Sequence, residues 1–155
     1  MDNQSELDQV KKMVKRFFEK TTLEVEINSI KKEDNTLSIS LKSEEPQVLI
    51  GEKGESLITV QRLLKLIIKK QLNIQGPFYV DLDINDYKKK KCLYLKELAK
   101  NAAEEVALTK KEKVLPPMPA YERRFVHMEL ANKPNITTES IGEEPERRIR
   151  IKPFP

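Results

Sequence analysis

The sequence predicts an α+β fold made of two small units joined by a long helix. Two spacings of apolar residues support this prediction. Stretches in which every second residue is apolar are typical of strands covered on one face, and stretches with apolar residues three and four positions apart are typical of amphipathic helices. Both kinds occur along the 155-residue chain, of which 38% is hydrophobic and 35% charged. This composition is typical of a globular protein with one or two cores.

The first half begins with a predicted helix and a hairpin. Over residues 6–20 the apolar side chains recur at intervals of three and four, which predicts a helix. Residues 23–27 and 37–41 alternate apolar and polar side chains, with the polar stretch 31–35 between them. Two half-buried strands joined by a turn at 31–35 are therefore predicted.

Two helices and a third strand are predicted to follow. Pro46 favours the first turn of a short helix that ends at Ile50. A longer amphipathic helix comes next, and Gln75-Gly76-Pro77 is predicted to end it. Residues 78–84 alternate again and predict a strand. The resulting order is α-β-β-α-α-β, with helices on one face of a sheet.

Two glycines, Gly51 and Gly54, stand between the two predicted helices. Glycine adopts backbone angles closed to other residues, and the amides at the start of the next helix attract anions. A P-loop needs four residues between its glycines and a Lys-Ser or Lys-Thr after the second, whereas Glu55-Ser56 follows here. Nucleotide hydrolysis is therefore disfavoured.

The Gly-x-x-Gly spacing fits the loop with which KH domains hold about four nucleotides of single-stranded RNA. By itself the spacing is also typical of a plain connection between helices. Because α-β-β-α-α-β is the order of a type II KH domain, the two observations together predict such a domain within residues 1–84. The residues predicted to bind RNA there are Ile50, Gly51, Glu52, Lys53, Gly54, Leu57 and Ile58.

The second half, residues 85–155, is predicted to begin with a long helix that fixes the relation of the two halves. Asn85 or Asp86 is the predicted cap, and Thr109 the predicted end. The four lysines at 88–91 allow two interpretations, a solvated helix face or phosphate contacts.

A second small α+β domain is predicted after this helix. Residues 114–119 are proline-rich and extended, and a helix is predicted to begin directly after them. Two short strands are predicted at 136–140 and 147–151, with a turn at 141–145. Charge is unevenly divided between the halves: residues 1–84 carry 13 Lys and Arg against 14 Asp and Glu, and residues 85–155 carry 16 against 11. The basic excess predicts an anionic partner for the second half.

One cysteine and one histidine limit the chemistry that the chain can perform. Cys92 excludes an internal disulfide framework and a multi-cysteine metal site, and it favours a reducing cytoplasm. A Cys92 and His127 dyad is formally possible, but Cys92 lies in a lysine-rich helix without a nucleophile signature. No ligand spacing for a metal is present. We therefore predict no catalytic residues, no metal site and no cofactor.

Arg123 and His127 stand four residues apart, on one face of the predicted helix. A lone histidine is more often structural than functional, yet a guanidinium and an imidazole on one face can both bind a phosphate. Arg147 and Arg148 come from a strand that could reach the same place. The predicted nucleic-acid contacts of the second half are Arg123, Arg124, His127, Arg147 and Arg148.

The motif 122–127, followed by 138–147, resembles the Arg-x-x-x-His domain of the bacterial Jag family, the SpoIIIJ-associated proteins also called KhpB or EloR. The stretches 80–87 and 117–119 are similar to that family too, so the resemblance covers about residues 23–155. It implies a cytoplasmic binder of single-stranded nucleic acid, mainly of RNA and also of DNA, connected with control of cell elongation, division or sporulation. Since no catalytic residues are predicted, the protein is expected to be non-enzymatic. The resemblance also implies a small single-KH protein as partner, or self-association. Membrane insertion is not expected, because no apolar run approaches the roughly 18 residues needed to span a bilayer.

Two departures from the family pattern bear on these expectations. The small N-terminal Jag domain that the family often carries is not found before Glu6. Glu52 occupies one of two loop positions that are commonly basic, so Lys53 alone supplies positive charge there. Glu52 and the near-neutral first half support an alternative function, a protein-interaction or dimerisation scaffold with incidental RNA contact. A nuclease is a third alternative, for which a base and a metal cluster cannot be identified.

Overall fold

The computed structural model describes residues 3–155 and confirms the α+β class. The chain divides into two compact units, the first ending at Lys88 and the second comprising Lys89–Pro155. Each unit contains one three-stranded sheet.

The first unit has the predicted order of helices and strands. A 3-10 turn, Glu52–Gly54, separates its second and third helices. The elements are α1 (Asn3–Glu19), β1 (Val25–Glu33), β2 (Thr36–Ser43), α2 (Pro46–Ile50), α3 (Glu55–Gln71) and β3 (Tyr79–Ile84). In the sheet, β1 pairs antiparallel with β2, and β3 pairs parallel with β2 on its other side.

Two boundaries in this unit differ from the prediction. The hairpin turn is confined to Asp34 and Asn35, because β1 and β2 remain paired as far as Glu33 and Thr36. Asp34 supplies the turn with a positive φ of 51°, which aspartate tolerates better than most residues. The predicted turn at 31–35 was therefore too long.

Helix α3 ends at Gln71, four residues before the predicted Gln75-Gly76-Pro77. Asn73 takes a left-handed conformation with φ 51°. This lets the amide of Ile74 donate to the carbonyl of Lys69 (3.0 Å) and the amide of Asn73 donate to the carbonyl of Lys70 (3.3 Å). These two bonds form a Schellman motif, with asparagine where glycine is usual.

The core of the first unit lies between the sheet and helices α1 and α3. Alternation places the apolar residues of β2 and β3 on the covered face, as predicted, and the polar ones on the other. The fully buried side chains include Val10 and Val14 of α1, Leu37, Ile39 and Leu41 of β2, Leu64 and Ile68 of α3, and Leu82 and Ile84 of β3.

The outer edge of β3 is capped by α3. The side-chain oxygen Oε1 of Gln61 accepts a hydrogen bond from the amide of Leu82 at 3.0 Å. Lys88 Nζ donates to the same oxygen at 3.3 Å and also pairs with Asp81. This bond occupies one amide of the edge strand and so makes that edge less available for pairing with another chain.

Helix α4 (Tyr87–Thr109) is the long predicted helix and ends at the predicted Thr109, but the side chain of Asn85, one of the two predicted caps, is engaged elsewhere. Asn85 instead bonds the backbone of Ser43, accepting from its amide at 2.8 Å and donating to its carbonyl at 2.9 Å. The carboxylate that accepts from a first-turn amide is Asp83, whose Oδ1 lies 3.2 Å from the amide nitrogen of Lys88. Asn85 and Asp86 both have positive φ and form the turn before the helix.

The second unit packs α4 and α5 against a small antiparallel sheet. Its further elements are β4 (Lys113–Val114), α5 (Ala120–Leu130), β5 (Ile136–Ile141) and β6 (Arg148–Pro153), with sheet order β4-β6-β5. The predicted helix start and both predicted strands are confirmed to within about two residues. Its core is formed by Leu95, Ala99, Ala102, Val106, Leu115, Val126, Leu130, Ile149 and Ile151.

Candidate nucleic-acid interface

Helix α5 carries the Arg-x-x-x-His motif of the second unit and packs against strand β5. Pro119 precedes the helix with extended backbone angles, φ −59° and ψ 158°, and its carbonyl accepts from the amide of Arg123 at 3.0 Å. The four-residue spacing places Arg123 and His127 one turn apart on the helix. Both side chains are held by bonds outside the helix.

The guanidinium of Arg123 is buried, with only 7% of the residue exposed. Its Nη1 donates to the carbonyl of Met118 at 2.6 Å, and its Nη2 donates to Oε1 of Glu144 at 2.6 Å. Glu144 lies in the turn between β5 and β6, and 58% of its side chain is exposed. A buried positive charge needs a nearby anion and hydrogen-bond acceptors. The sequence did not predict that Arg123 would make these contacts within the protein.

His127 contacts β5. Its Nδ1 lies 2.7 Å from Oγ1 of Thr138, a hydrogen bond that fixes the orientation of the ring. Partial burial lowers the pKa of His127 below its ordinary value, and the nearby positive charge of Arg123 lowers it further. The imidazole is therefore neutral at pH 7.

The arginines predicted to join this pair lie in different positions. Arg124 and Arg147 are exposed, and Arg147 Nε donates to Oγ of Ser140 at 2.8 Å. Ser140 shares its side of β5 with Thr138, because side chains alternate along a strand. Arg147 thus lies on the face of the sheet that α5 covers.

Arg148 lies on the opposite face of the sheet. Its neighbour Ile149 is fully buried against the helices, and successive residues of a strand point to opposite sides. Arg148 donates through Nε to the carbonyl of Glu146 at 3.1 Å and through Nη2 to the Glu146 carboxylate at 3.2 Å. The structure does not bring Arg148 together with Arg123 and His127, and the predicted pairing of Arg147 with Arg148 needs correction.

Three side chains at this site were not predicted from the sequence, namely Thr138, Ser140 and Glu144. For Thr138 and Ser140 a signal existed, since they share the parity of the apolar Ile136 and therefore the covered face of β5. No periodicity could have placed Glu144, because it belongs to an irregular turn.

The glycine loop of the first unit has the backbone that the sequence predicted. Gly51 has φ 72° and ψ 179°, a region open almost only to glycine, and a Cβ there would lie 2.3 Å from Oγ of Ser56. Lys53 and Gly54 follow with φ 53° and 78°, so two successive residues are left-handed.

The predicted RNA contacts around this loop differ in accessibility. Leu57 is only 3% exposed and belongs to the core, so its predicted contact with a base is not supported. Ile50 and Ile58 are half-buried at the surface. Glu52 and Glu55 are exposed on the loop and its helix start, against one half-exposed lysine, Lys53. This charge balance disfavours a strong phosphate grip by the loop.

Two of the lysines near the start of α4 form ion pairs. Lys88 pairs with Asp81, and Lys91 Nζ lies 3.6 Å from the buried carboxylate of Glu122. These two lysines therefore form ion pairs within the protein. The pairs are compatible with both predicted roles of residues 88–91, a solvated helix face or a set of phosphate contacts.

Across residues 3–155, His, Cys, Asp and Glu side chains do not gather in any group of three that could hold a metal ion. Within the same residues, every helix is too short or too polar to cross a bilayer.

Comparison with known proteins gives one family match and several relatives. The R-3-H domain family matches residues 93–153. RNA-binding protein KhpB of Clostridium symbiosum is 37% identical over 129 residues, covering 83% of this chain and 56% of that protein. KhpB of Lactiplantibacillus plantarum is 37% identical over 106 residues, with 67% and 32% covered. KhpB of Bacillus subtilis is 30% identical over 126 residues, with 79% and 59% covered. The chain thus spans about a third to three fifths of the length of these relatives.

Proposed function

This chain belongs to the KhpB family, also called Jag, and on that premise we propose that it is a non-enzymatic protein that binds single-stranded RNA. The relatives are named RNA-binding proteins, and the match to the R-3-H domain covers most of the second unit. The observation that carries the proposal is the surface formed by α5 and β5, where His127 and Arg147 bond side chains on the same face of β5 and Arg124 is exposed three residues before His127 on α5. We call the surface of His127, Arg124 and Arg147 the α5–β5 site.

The α5–β5 site offers the donors that a phosphate backbone needs. Arg147 and Arg124 supply charged donors with a planar geometry suited to phosphate oxygens. His127 is held through Nδ1 by Thr138, so its Nε2 is the ring atom that would contact RNA. The excess of cations in residues 85–155 adds a long-range attraction that does not depend on base sequence.

We assign the first unit to the type II KH fold, and we propose that it contributes less to the RNA affinity than the second unit does. Its element order and its two left-handed loop residues support this assignment. Ile50 and Ile58 would contact bases, and Lys53 would face the backbone beside Gly51 and Gly54. Glu52 opposes a phosphate there, so most of the electrostatic affinity falls to the second unit.

The adjacent arginines 147 and 148 provide a matched test. Replacing either with glutamine removes one positive charge from the same short segment, but only Arg147 lies on the side of α5. We expect Arg147→Gln to weaken binding of a fluorescein-labelled oligouridylate about tenfold, and Arg148→Gln to weaken it about twofold or less. Titrations at several salt concentrations should show a flatter salt dependence for Arg147→Gln alone. Equal losses, or no RNA binding by the unmodified chain at low salt, would contradict the proposal.

We also propose that the protein acts in the cytoplasm as a regulator connected with cell elongation, division or sporulation, because the family resemblance implies this role. Absence of catalysis can be tested directly. End-labelled RNA incubated with the protein and Mg²⁺ should keep its length, and cleavage would favour a nuclease.

A protein-interaction scaffold is the second candidate function. Leu63 and Leu66 are both exposed on α3, Leu66 by 65%, and three residues apart on a helix they can form one apolar contact surface for a partner. Glu52 and Glu55 also favour contacts other than RNA at this unit. A dimer, or a complex with a small single-KH protein, that dissociates on Leu66→Glu while RNA binding persists would support this function. It can be measured by sedimentation of the purified chain.

A further inference from the structure

The ion pair between Arg123 and Glu144 joins a buried cation to an exposed anion. Arg123 is 7% exposed, whereas the Glu144 side chain is 58% exposed and lies in the turn between β5 and β6. We propose that the Glu144 carboxylate occupies the anion site of Arg123 in the RNA-free protein, and that an RNA phosphate displaces it on binding. This inference rests on the proposed function and extends it to Arg123.

Arg123 is held in place without Glu144. Its Nη1 donates to the carbonyl of Met118 at 2.6 Å, and the residue belongs to the first turns of α5, where its amide bonds the carbonyl of Pro119. Departure of the carboxylate would therefore leave a fixed guanidinium with Nη2 facing the vacated position. A preorganised donor of this kind binds an anion without a further cost of ordering.

Glu144 itself loses little when it returns to water. Its side chain is 58% exposed, so the carboxylate is already partly hydrated, and the cost of separating the pair falls on the buried Arg123 until another anion takes the position. The turn at 142–147 lies outside both strands and is closed by the bond from the amide of Glu146 to the carbonyl of Glu143, 2.9 Å long. That backbone bond does not involve the Glu144 side chain, so the carboxylate can swing away while the turn stays closed.

The buried guanidinium explains why one anion must replace another. A buried arginine without a counter-charge is strongly unfavourable. Carboxylate and phosphate oxygens both accept the paired donors of a guanidinium, so a phosphodiester can take over the position with its bonding intact. The charge of Arg123 is thus compensated both without and with RNA, while Glu144 competes with RNA for it.

Two substitutions of Glu144 separate this competition from a general charge effect. Glu144→Gln removes the charge and the ionic bond. Glu144→Asp keeps the charge but shortens the side chain by one methylene, which weakens the contact with Nη2. Glu143→Gln is the matched control, because Glu143 is the adjacent exposed acid in the same turn.

The experiment is a titration of the full chain and each variant with fluorescein-labelled oligouridylate. We expect Glu144→Gln to bind about tenfold more tightly, which corresponds to about 1.4 kcal/mol, with a smaller gain for Glu144→Asp and at most about a twofold gain for Glu143→Gln. Thermal melting shows whether each variant is folded. If Glu144→Gln melts below the assay temperature, the affinity of Glu144→Asp is compared with that of the unmodified chain instead. Weaker binding by both Glu144 variants would show that Glu144 positions Arg123 and would overturn the proposal.

Equal gains for Glu143→Gln and Glu144→Gln, with none for Glu144→Asp, would also overturn it, because only net charge would matter. Either result leaves RNA binding by the unmodified chain intact and so differs from failure of the proposed function. If neither the unmodified chain nor Glu144→Gln binds RNA at low salt, both proposals fall together.

Discussion

The imidazole of His127 and the hydroxyl of Thr138 are 2.7 Å apart, which ties helix α5 to strand β5 through the one histidine of the chain. The same histidine lies close enough to the buried Arg123 for the arginine charge to lower its pKa, after the larger effect of burial. Two pH dependences of opposite sign follow.

Stability should fall as the pH decreases below the ordinary histidine pKa of about 6.5. Because the pKa of His127 is lowered in the folded state, the unfolded chain binds a proton more readily. Stability from this group is therefore fully present above that pH and is lost as the pH falls through the lower folded pKa. Urea unfolding between about pH 5 and pH 7.5 should show this slope, and His127→Gln should reduce it. An unchanged slope in His127→Gln would assign the dependence to carboxylates.

RNA affinity should instead rise over the same range. A phosphate beside His127 favours the protonated ring, so binding takes up a proton and becomes tighter as the pH falls from 7. Titrations of labelled oligouridylate at fixed ionic strength measure this, with His127→Gln as the control that keeps a side chain able to contact Thr138. A rise of the same size in His127→Gln would exclude His127 from the proposed α5–β5 site.

Two glycines with similar φ allow the steric demand of the loop to be measured. Gly51→Ala introduces a Cβ 2.3 Å from Ser56 Oγ and 3.0 Å from its backbone nitrogen, whereas a Cβ at Gly76 meets no atom within 4 Å. We expect a loss in the free energy of unfolding of about 3 kcal/mol for Gly51→Ala and about 1 kcal/mol for Gly76→Ala, where only the positive φ is unfavourable. Similar losses in urea unfolding would show that the loop adjusts around a side chain.

The acidic residue of the glycine loop should limit RNA binding by the first unit. Removing the charge with Glu52→Gln should tighten RNA binding about threefold if the loop faces the phosphate backbone, because one nearby repulsion is lost. Glu19→Gln removes the same charge from the exposed end of α1 and serves as control. Equal titration curves for both variants would place the loop outside the RNA contact and favour the scaffold function for this unit.

The apolar pattern of the sequence predicted most of the helices and strands, but it missed the two-residue strand β4, which is too short to show alternation, and the details of the proposed sites. Alternation in 37–41 and 78–84 predicted the covered face of the first sheet because burial there follows a period of two. Leu57 shows the limit: it belongs to the apolar face of α3, and sequence alone cannot separate a core leucine from one that lines a groove. Only the structure shows it buried.

The Arg-x-x-x-His motif shows a second limit. Helical spacing correctly placed Arg123 and His127 on one helix, but the partners of Arg123 are a carbonyl before the helix and a glutamate 21 residues later. Such contacts depend on how a turn folds back, and no local periodicity encodes them. The same holds for Asn85, which was predicted as a cap and instead bonds Ser43 across the sheet.

The bond between Gln61 and the edge strand β3 yields a last prediction. Its Oε1 accepts from the amide of Leu82 at 3.0 Å, and Leu82 itself is fully buried. Gln61→Leu removes this acceptor without adding a partner, so an edge amide is left unsatisfied, which costs about 1–3 kcal/mol. Gln71→Leu makes the same substitution at an exposed position at the end of α3 and should change stability by less than about 0.5 kcal/mol. Hydrogen exchange of the Leu82 amide gives the local readout, since exchange should accelerate in Gln61→Leu and remain slow in Gln71→Leu. Slow exchange in both variants would mean that packing, and not this side chain, protects the edge of the sheet.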